Sequence, residues 1–261
     1  MATSAPEPKA KAGAAKPAAA PAAAPAAGGY AAWSRDPAVG LFAVLPLWLL
    51  YEGLRMLLTP SERNGAEQLL LGELTRLHPN VLLALRLAFG GILLVAARSL
   101  VKRHVPWLRV AGVLALEGSV YGLLLGPIAA ALTSSASRML AIGPLPASLG
   151  ADFVGSLGAG IFEELVFRLG LMSALAWVAM RVVRNWSMPI AVAGVSAVVV
   201  SALVFSWFHH LCGEPFERTR FLFRTMAGVL LGFLMWGRGY GVCVYTHTVY
   251  NVYFYLTRHD P

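Results

Sequence analysis

Charged side chains are missing from long stretches of this chain. Ser187 to Phe208 carries none, Gly239 to Thr257 is interrupted only by His247, and Gly118 to Ser137 forms the uncharged end of another apolar run. A helix of about 20 apolar residues crosses the roughly 30 Å hydrocarbon core of a bilayer, so these runs predict membrane-spanning helices. The pattern places helices at about 38–58, 80–99, 109–132, 148–169, 171–184, 188–211, 220–237 and 240–257. The predicted fold is therefore all-α, a polytopic transmembrane helical bundle of about eight helices. Segment 171–184 has an apolar core shortened by Arg181 and Arg184, and the amphipathic segment 67–77 predicts an interfacial helix.

Composition agrees with this reading. The chain is 57% hydrophobic and only 13% charged, against about 25% charged residues in soluble domains. Residues 1–36 are rich in Ala, Pro and Lys and predict a disordered tail, leaving 37–261 as the transmembrane domain. The tail lacks the continuous apolar core of a secretory signal, so the first helix is expected to stay as an anchor. The net charge of +8 is scattered at helix ends, which fits membrane flanking and argues against nucleic acid as a partner. Lys102, Arg103 and Arg109 predict a cytoplasmic loop, and with it a cytoplasmic N-terminus. With eight crossings Arg258 would also lie inside, while Arg181 and Arg184 would face the opposite side. Cys212 and Cys243 have no CxxC spacing and predict neither a disulfide nor a zinc knuckle.

Ionisable residues inside apolar helices each need a reason, because a mid-membrane charge costs about 2.5–3.5 kcal/mol on insertion scales. Glu52 and Arg55 are three apart and can pair on one face. Arg86 and Glu117 stand on neighbouring helices and could pair with each other. Glu164 and Arg168, four apart, can neutralise one another, whereas Glu163 points about 100° away and has no local cation. An unpaired carboxylate in low dielectric suits general acid–base work. His209 shares the stripe of Phe205 and should face the bundle, while His210 fits an interfacial position. His247 and Asn251, four apart in the last apolar run, aim hydrogen-bond donors at one place, as a developing oxyanion requires. A purely structural interhelical hydrogen bond is the other reading of that pair.

Glu163-Glu164-x-x-x-Arg168, Phe205-x-x-x-His209 and His247-x-x-x-Asn251, in this order on successive helices, resemble the CPBP (CAAX protease and bacteriocin-processing) family of intramembrane endopeptidases. The resemblance covers about 148–257, and Gly228-x-x-x-Gly232 looks like that family's close-packed helix. It implies a glutamate-dependent peptidase in which Glu163 and His209 activate a water and His247 and Asn251 stabilise the oxyanion. Glu164 and Arg168 become a supporting ion pair, no cofactor is required, and the cavity opens toward the cytoplasmic leaflet. The implied substrate is a membrane-associated or exported polypeptide with a C-terminal or leader processing segment. The Ala- and Pro-rich composition suits a bacterial inner-membrane protein. Three rivals use the same residues or their neighbours. Glu163, His209 and His247 could ligate one divalent metal such as zinc; Cys243 and His247 could form a thiol dyad; and the bundle could be a non-catalytic scaffold or proton-coupled transporter.

Overall fold

Within a bilayer a chain must satisfy its own backbone, and each long apolar run here does so as a helix. The computed structural model describes residues 29–58, 64–72, 80–133, 149–185 and 189–257, and all regular structure among them is helical. The elements are α1 (Tyr30–Trp33), α2 (Pro37–Leu58), α3 (Gly65–Glu67, continued by a π-wound turn, Gln68–Gly72), α4 (Val81–Lys102) and α5 (Trp107–Leu132). They are followed by α6, α7 (Ile190–Leu211), α8 (Arg218–Arg238) and α9 (Tyr240–Thr257). Helix α6 is one rod in three sections: α-helical Leu149–Gly158, π-wound Ala159–Met172 and α-helical Ser173–Asn185.

Six of these helices, α2 and α4 to α8, are long and apolar enough to cross a membrane. Together they make the chain an integral membrane protein. Helix α9 runs among α2, α5, α6 and α8, so its histidine, asparagine and threonines have protein around them. Close approach depends on small residues: a Cβ on Gly122 of α5 would lie 2.7 Å from the Thr246 carbonyl oxygen of α9. The Gly228/Gly232 pair works the same way, setting α8 against Ala202 and Val198 of α7.

Several expectations change. Segments 148–169 and 171–184 are not separate helices, because the only break signal between them is Gly170, and one glycine weakens a helix without ending it. Residues 29–36, assigned to the tail, join the fold: Tyr30 of α1 donates its hydroxyl to Glu117. Residues 1–28 lie outside the described residues, as do 73–79 of the predicted interfacial segment. Of that segment's described residues Glu67, beside buried Ala66, enters the bundle and accepts from the Tyr51 hydroxyl at 2.6 Å, whereas Gln68 and Leu69 are exposed. Glu52 and Arg55 pair as expected at 3.0 Å. Glu117 does not pair with Arg86, since α4 packs mainly on α2; its carboxylate instead takes a two-pronged bond from Arg238, at 2.7 and 2.6 Å.

Contacts also fix the directions of the helices. Gly40 meets Gly241, and Gly118 and Gly122 meet successive turns of α9, so α2, α5 and α9 run the same way. Phe167 and Met172 of α6 face Ser201 and Val198 of α7 in reverse order. The seven long helices thus alternate, and α9 ends on the face opposite the start of α2, not on the same face as eight crossings would require. Arg181 and Arg184 now share a face with Lys102, Arg103 and Arg109, which removes their misplacement. Glu163 and His209 lie toward the other face. Arg258 is outside the described residues.

On the basic face Asp36 caps α2, accepting from the Ala38 amide at 2.9 Å, and pairs with Arg103. Pro37 follows at the first helical position, where its missing N–H is harmless. The Arg103 guanidinium beside it holds the Asp36 carboxyl below the usual carboxylate range. A folded value lowered in this way means stability that is present above the unfolded value and lost as pH falls through the folded one. Thermal unfolding of purified protein should therefore weaken below about pH 4. Asp36→Asn should remove that part of the acid sensitivity and cost about 1 kcal/mol or less at neutral pH, because the pair is partly screened by solvent.

Candidate active site

The two adjacent carboxylates sit in the π-wound section of α6. A π-helix closes i→i+5 hydrogen bonds and turns less per residue than an α-helix, so Glu163 and Glu164 diverge by less than the 100° expected. Both enter the bundle, at 6% and 0% exposure. Gly160, one turn earlier, makes this approach to α9 possible: a Cβ there would fall 1.9 Å from Thr248 Oγ1 and 3.0 Å from the Thr248 backbone nitrogen.

Glu164 bridges two helices. Its Oε1 lies 3.3 Å from an Arg168 nitrogen on its own helix and accepts from His247 Nδ1 on α9 at 2.7 Å. The expected partnership with Arg168 is present, and the bond to His247 is additional. That bond fixes the imidazole and turns its Nε2 toward Glu163. The Arg168 guanidinium, 1% exposed, also stacks 4.1 Å from the centre of the Phe205 ring, a contact of about 2 kcal/mol when desolvated. The edges of Phe205 meet His209 and His247 at centroid distances of 5.0 and 6.0 Å.

His209 ends α7 and donates Nδ1–H to the Phe205 carbonyl at 3.0 Å, which leaves Nε2 as an acceptor in the neutral ring. Glu163 therefore stands between two imidazoles, its Oε2 lying 3.9 Å from His209 Nε2 and 3.8 Å from His247 Nε2. This oxygen is buried and has no hydrogen-bond partner among the described residues. Glu163 Oε1 accepts from Asn64 Nδ2 at 3.3 Å. Asn64, on the connection after α2, was not among the residues read from the sequence. Its only signal was the spacing Asn64-x-x-Glu67, which marks a helix start.

Glu163, Glu164, Arg168, His209 and His247 thus come together. Asn251 follows His247 by one turn on the same face of α9 and is half-buried; among the described residues it makes no hydrogen bond. His210 turns away, its Nδ1 3.3 Å from the Glu214 carbonyl and its ring among Trp207 and Phe216. Arg224, beside the site on α8, pairs with Glu214 at 2.7 Å. The Cys243 thiol is directed to the Leu231 carbonyl at 3.2 Å, toward α8. Among the described residues no three His, Cys, Asp or Glu side chains are grouped closely enough to hold a metal ion.

Residues 146–253 match the protein family described as type II CAAX prenyl endopeptidase Rce1-like. No curated protein and no solved structure matches the chain.

Removing Glu164 leaves Arg168 as a buried cation without its counter-charge. Glu164→Ala should destabilise the protein by about 3–5 kcal/mol, read as a lowered denaturation midpoint of the detergent-solubilised protein. Glu52→Ala, which breaks the more exposed pair with Arg55, should cost about 1 kcal/mol or less.

Proposed function

We propose, from the match of residues 146–253 to the type II CAAX prenyl endopeptidase family, that the chain belongs to that family and is an intramembrane glutamic-type endopeptidase acting on a membrane-associated or exported polypeptide. The observation that supports this reading best is the convergence of three side-chain atoms, Glu163 Oε2 and the Nε2 atoms of His209 and His247. Separations of 3.8 and 3.9 Å exceed a direct hydrogen bond, which ends near about 3.2 Å. They suit one water molecule bonded to the carboxylate and a ring.

In this mechanism Glu163 takes a proton from that water while His209 Nε2 accepts from it and orients it. The water oxygen bonds to the scissile carbonyl carbon, and the carbonyl oxygen becomes an oxyanion. His247, carrying a proton on Nε2, and the Asn251 amide donate to the oxyanion. The C–N bond then breaks, and the proton held by Glu163 passes to the leaving amine. Glu164 serves as the orienting group for His247, with Arg168 as its counter-ion. The cut bond belongs to a C-terminal or leader processing segment.

Glu163→Gln keeps the side chain's shape but cannot accept the proton. Cleavage of the native substrate, found as a membrane polypeptide that accumulates in cells carrying Glu163→Gln, should fall by about 10²–10⁴-fold. Normal processing in that variant would point instead to a non-catalytic scaffold or transporter. Dialysis against a strong chelator should leave cleavage by the wild-type protein unchanged; loss of activity restored by zinc would transfer Glu163, His209 and His247 to a metal site. Cys243→Ala should be fully active, because its thiol is directed away from the site.

A further inference from the structure

Asn64 reaches the site from a part of the chain that none of the family-like motifs touches. It stands at the N-cap of α3, against Gly158 of α6. There its carboxamide faces two ways: Oδ1 accepts from the Ala66 amide at 2.9 Å, capping the turn, and Nδ2 donates to Glu163 Oε1 at 3.3 Å. The cap determines which end of the amide is oxygen, so the donor toward Glu163 is fixed by the local backbone and not by a free choice of rotamer. The turn itself is held in place on two sides. Ala66 is fully buried in a cluster with Tyr51, Leu157, Ile161 and Phe162, and Glu67 takes the Tyr51 hydroxyl at 2.6 Å.

We propose that Asn64 is a positioning residue for Glu163: it binds one carboxylate oxygen and thereby directs the other, Oε2, to the two histidines. A carboxylate free to rotate would divide its basic oxygen among several directions, and the three-atom convergence would be lost for part of the time. Irregular backbone at membrane depth persists only where it is buried in protein or lines a cavity. The inward turn of α3 meets that condition and brings to the site a neutral donor, which stabilises the carboxylate without forming an ion pair that would hold it away from substrate.

This inference rests on Glu163 being the base, and the experiment separates the two. Asn64→Asp preserves the cap, since Asp and Asn serve about equally there, but places a carboxylate where the donor stood. Asn64→Ser also keeps a capping oxygen but is too short to reach Glu163. Both variants, wild type and Glu163→Gln are purified at full length in detergent. They are assayed on the precursor polypeptide that accumulates in cells carrying Glu163→Gln, with thermal unfolding in parallel.

The expected result for Asn64→Asp and Asn64→Ser is a kcat lower by about 10- to 100-fold with KM nearly unchanged, a split that a loss of folded protein alone would not give. If Asn64 acts only as a helix cap, both variants keep wild-type kcat, and the inference is overturned while Glu163→Gln remains inactive. If Glu163→Gln itself cleaves normally, the base assignment has failed and the inference falls with it. Should Asn64→Asp not fold, the serine variant gives the same decision.

Discussion

A charge survives inside a membrane protein only where a partner is built in with it, and Glu164 meets that demand for two helices at once. With no measurable exposure, it balances Arg168 on α6 and receives His247 from α9. Arg168 in turn lies on the face of Phe205, whose edges touch both histidines. The position of each site residue therefore depends on a single buried carboxylate. This is a costly arrangement, because such pairs return little net stability against well-packed apolar residues. Its benefit is definition: the register of α6 and α9 that joins Glu164 to both Arg168 and His247 is also the one in which Glu163 faces both Nε2 atoms.

The fold class, most of the helices and the convergence of Glu163, His209 and His247 were legible in the sequence. They rest on local facts: apolar run length, and i, i+4 spacing around each polar residue. What was hidden depends on contacts far apart in the chain or on unusual winding. Glu117 could be recognised as needing a cation, but the choice of Arg238 over Arg86 is made by packing, with α4 set beside α2 and the end of α8 brought to α5. The π-wound section has no signature in the residues Ala159 to Met172, so the angle between Glu163 and Glu164 was overestimated. The same rod absorbed two predicted helices, because Gly170 resembles a break when read alone. Asn64 looked like any polar residue in a linker, although Asn64-x-x-Glu67 does announce a helix start.

Small side chains decide how close the functional groups come. Gly160 and Gly122 bring the backbones of α6 and α5 onto α9, and each lies where a single methyl group would meet Thr248 or the Thr246 carbonyl. Polar α9 can occupy the middle of an apolar bundle because its neighbours approach closely enough to shield it. His247, buried and with its ring against Phe205, is oriented by packing as well as by its bond to Glu164.

The alternation of the seven long helices has a consequence for how changes in the molecule combine. The chain enters α2 from the basic face, whereas Glu163, His209 and the inward turn of α3 lie toward the opposite face. The capped start of α2 and the reacting groups are thus held toward opposite ends of the same helices and share no partner. Substitutions made at the two ends are energetically independent, and their effects add.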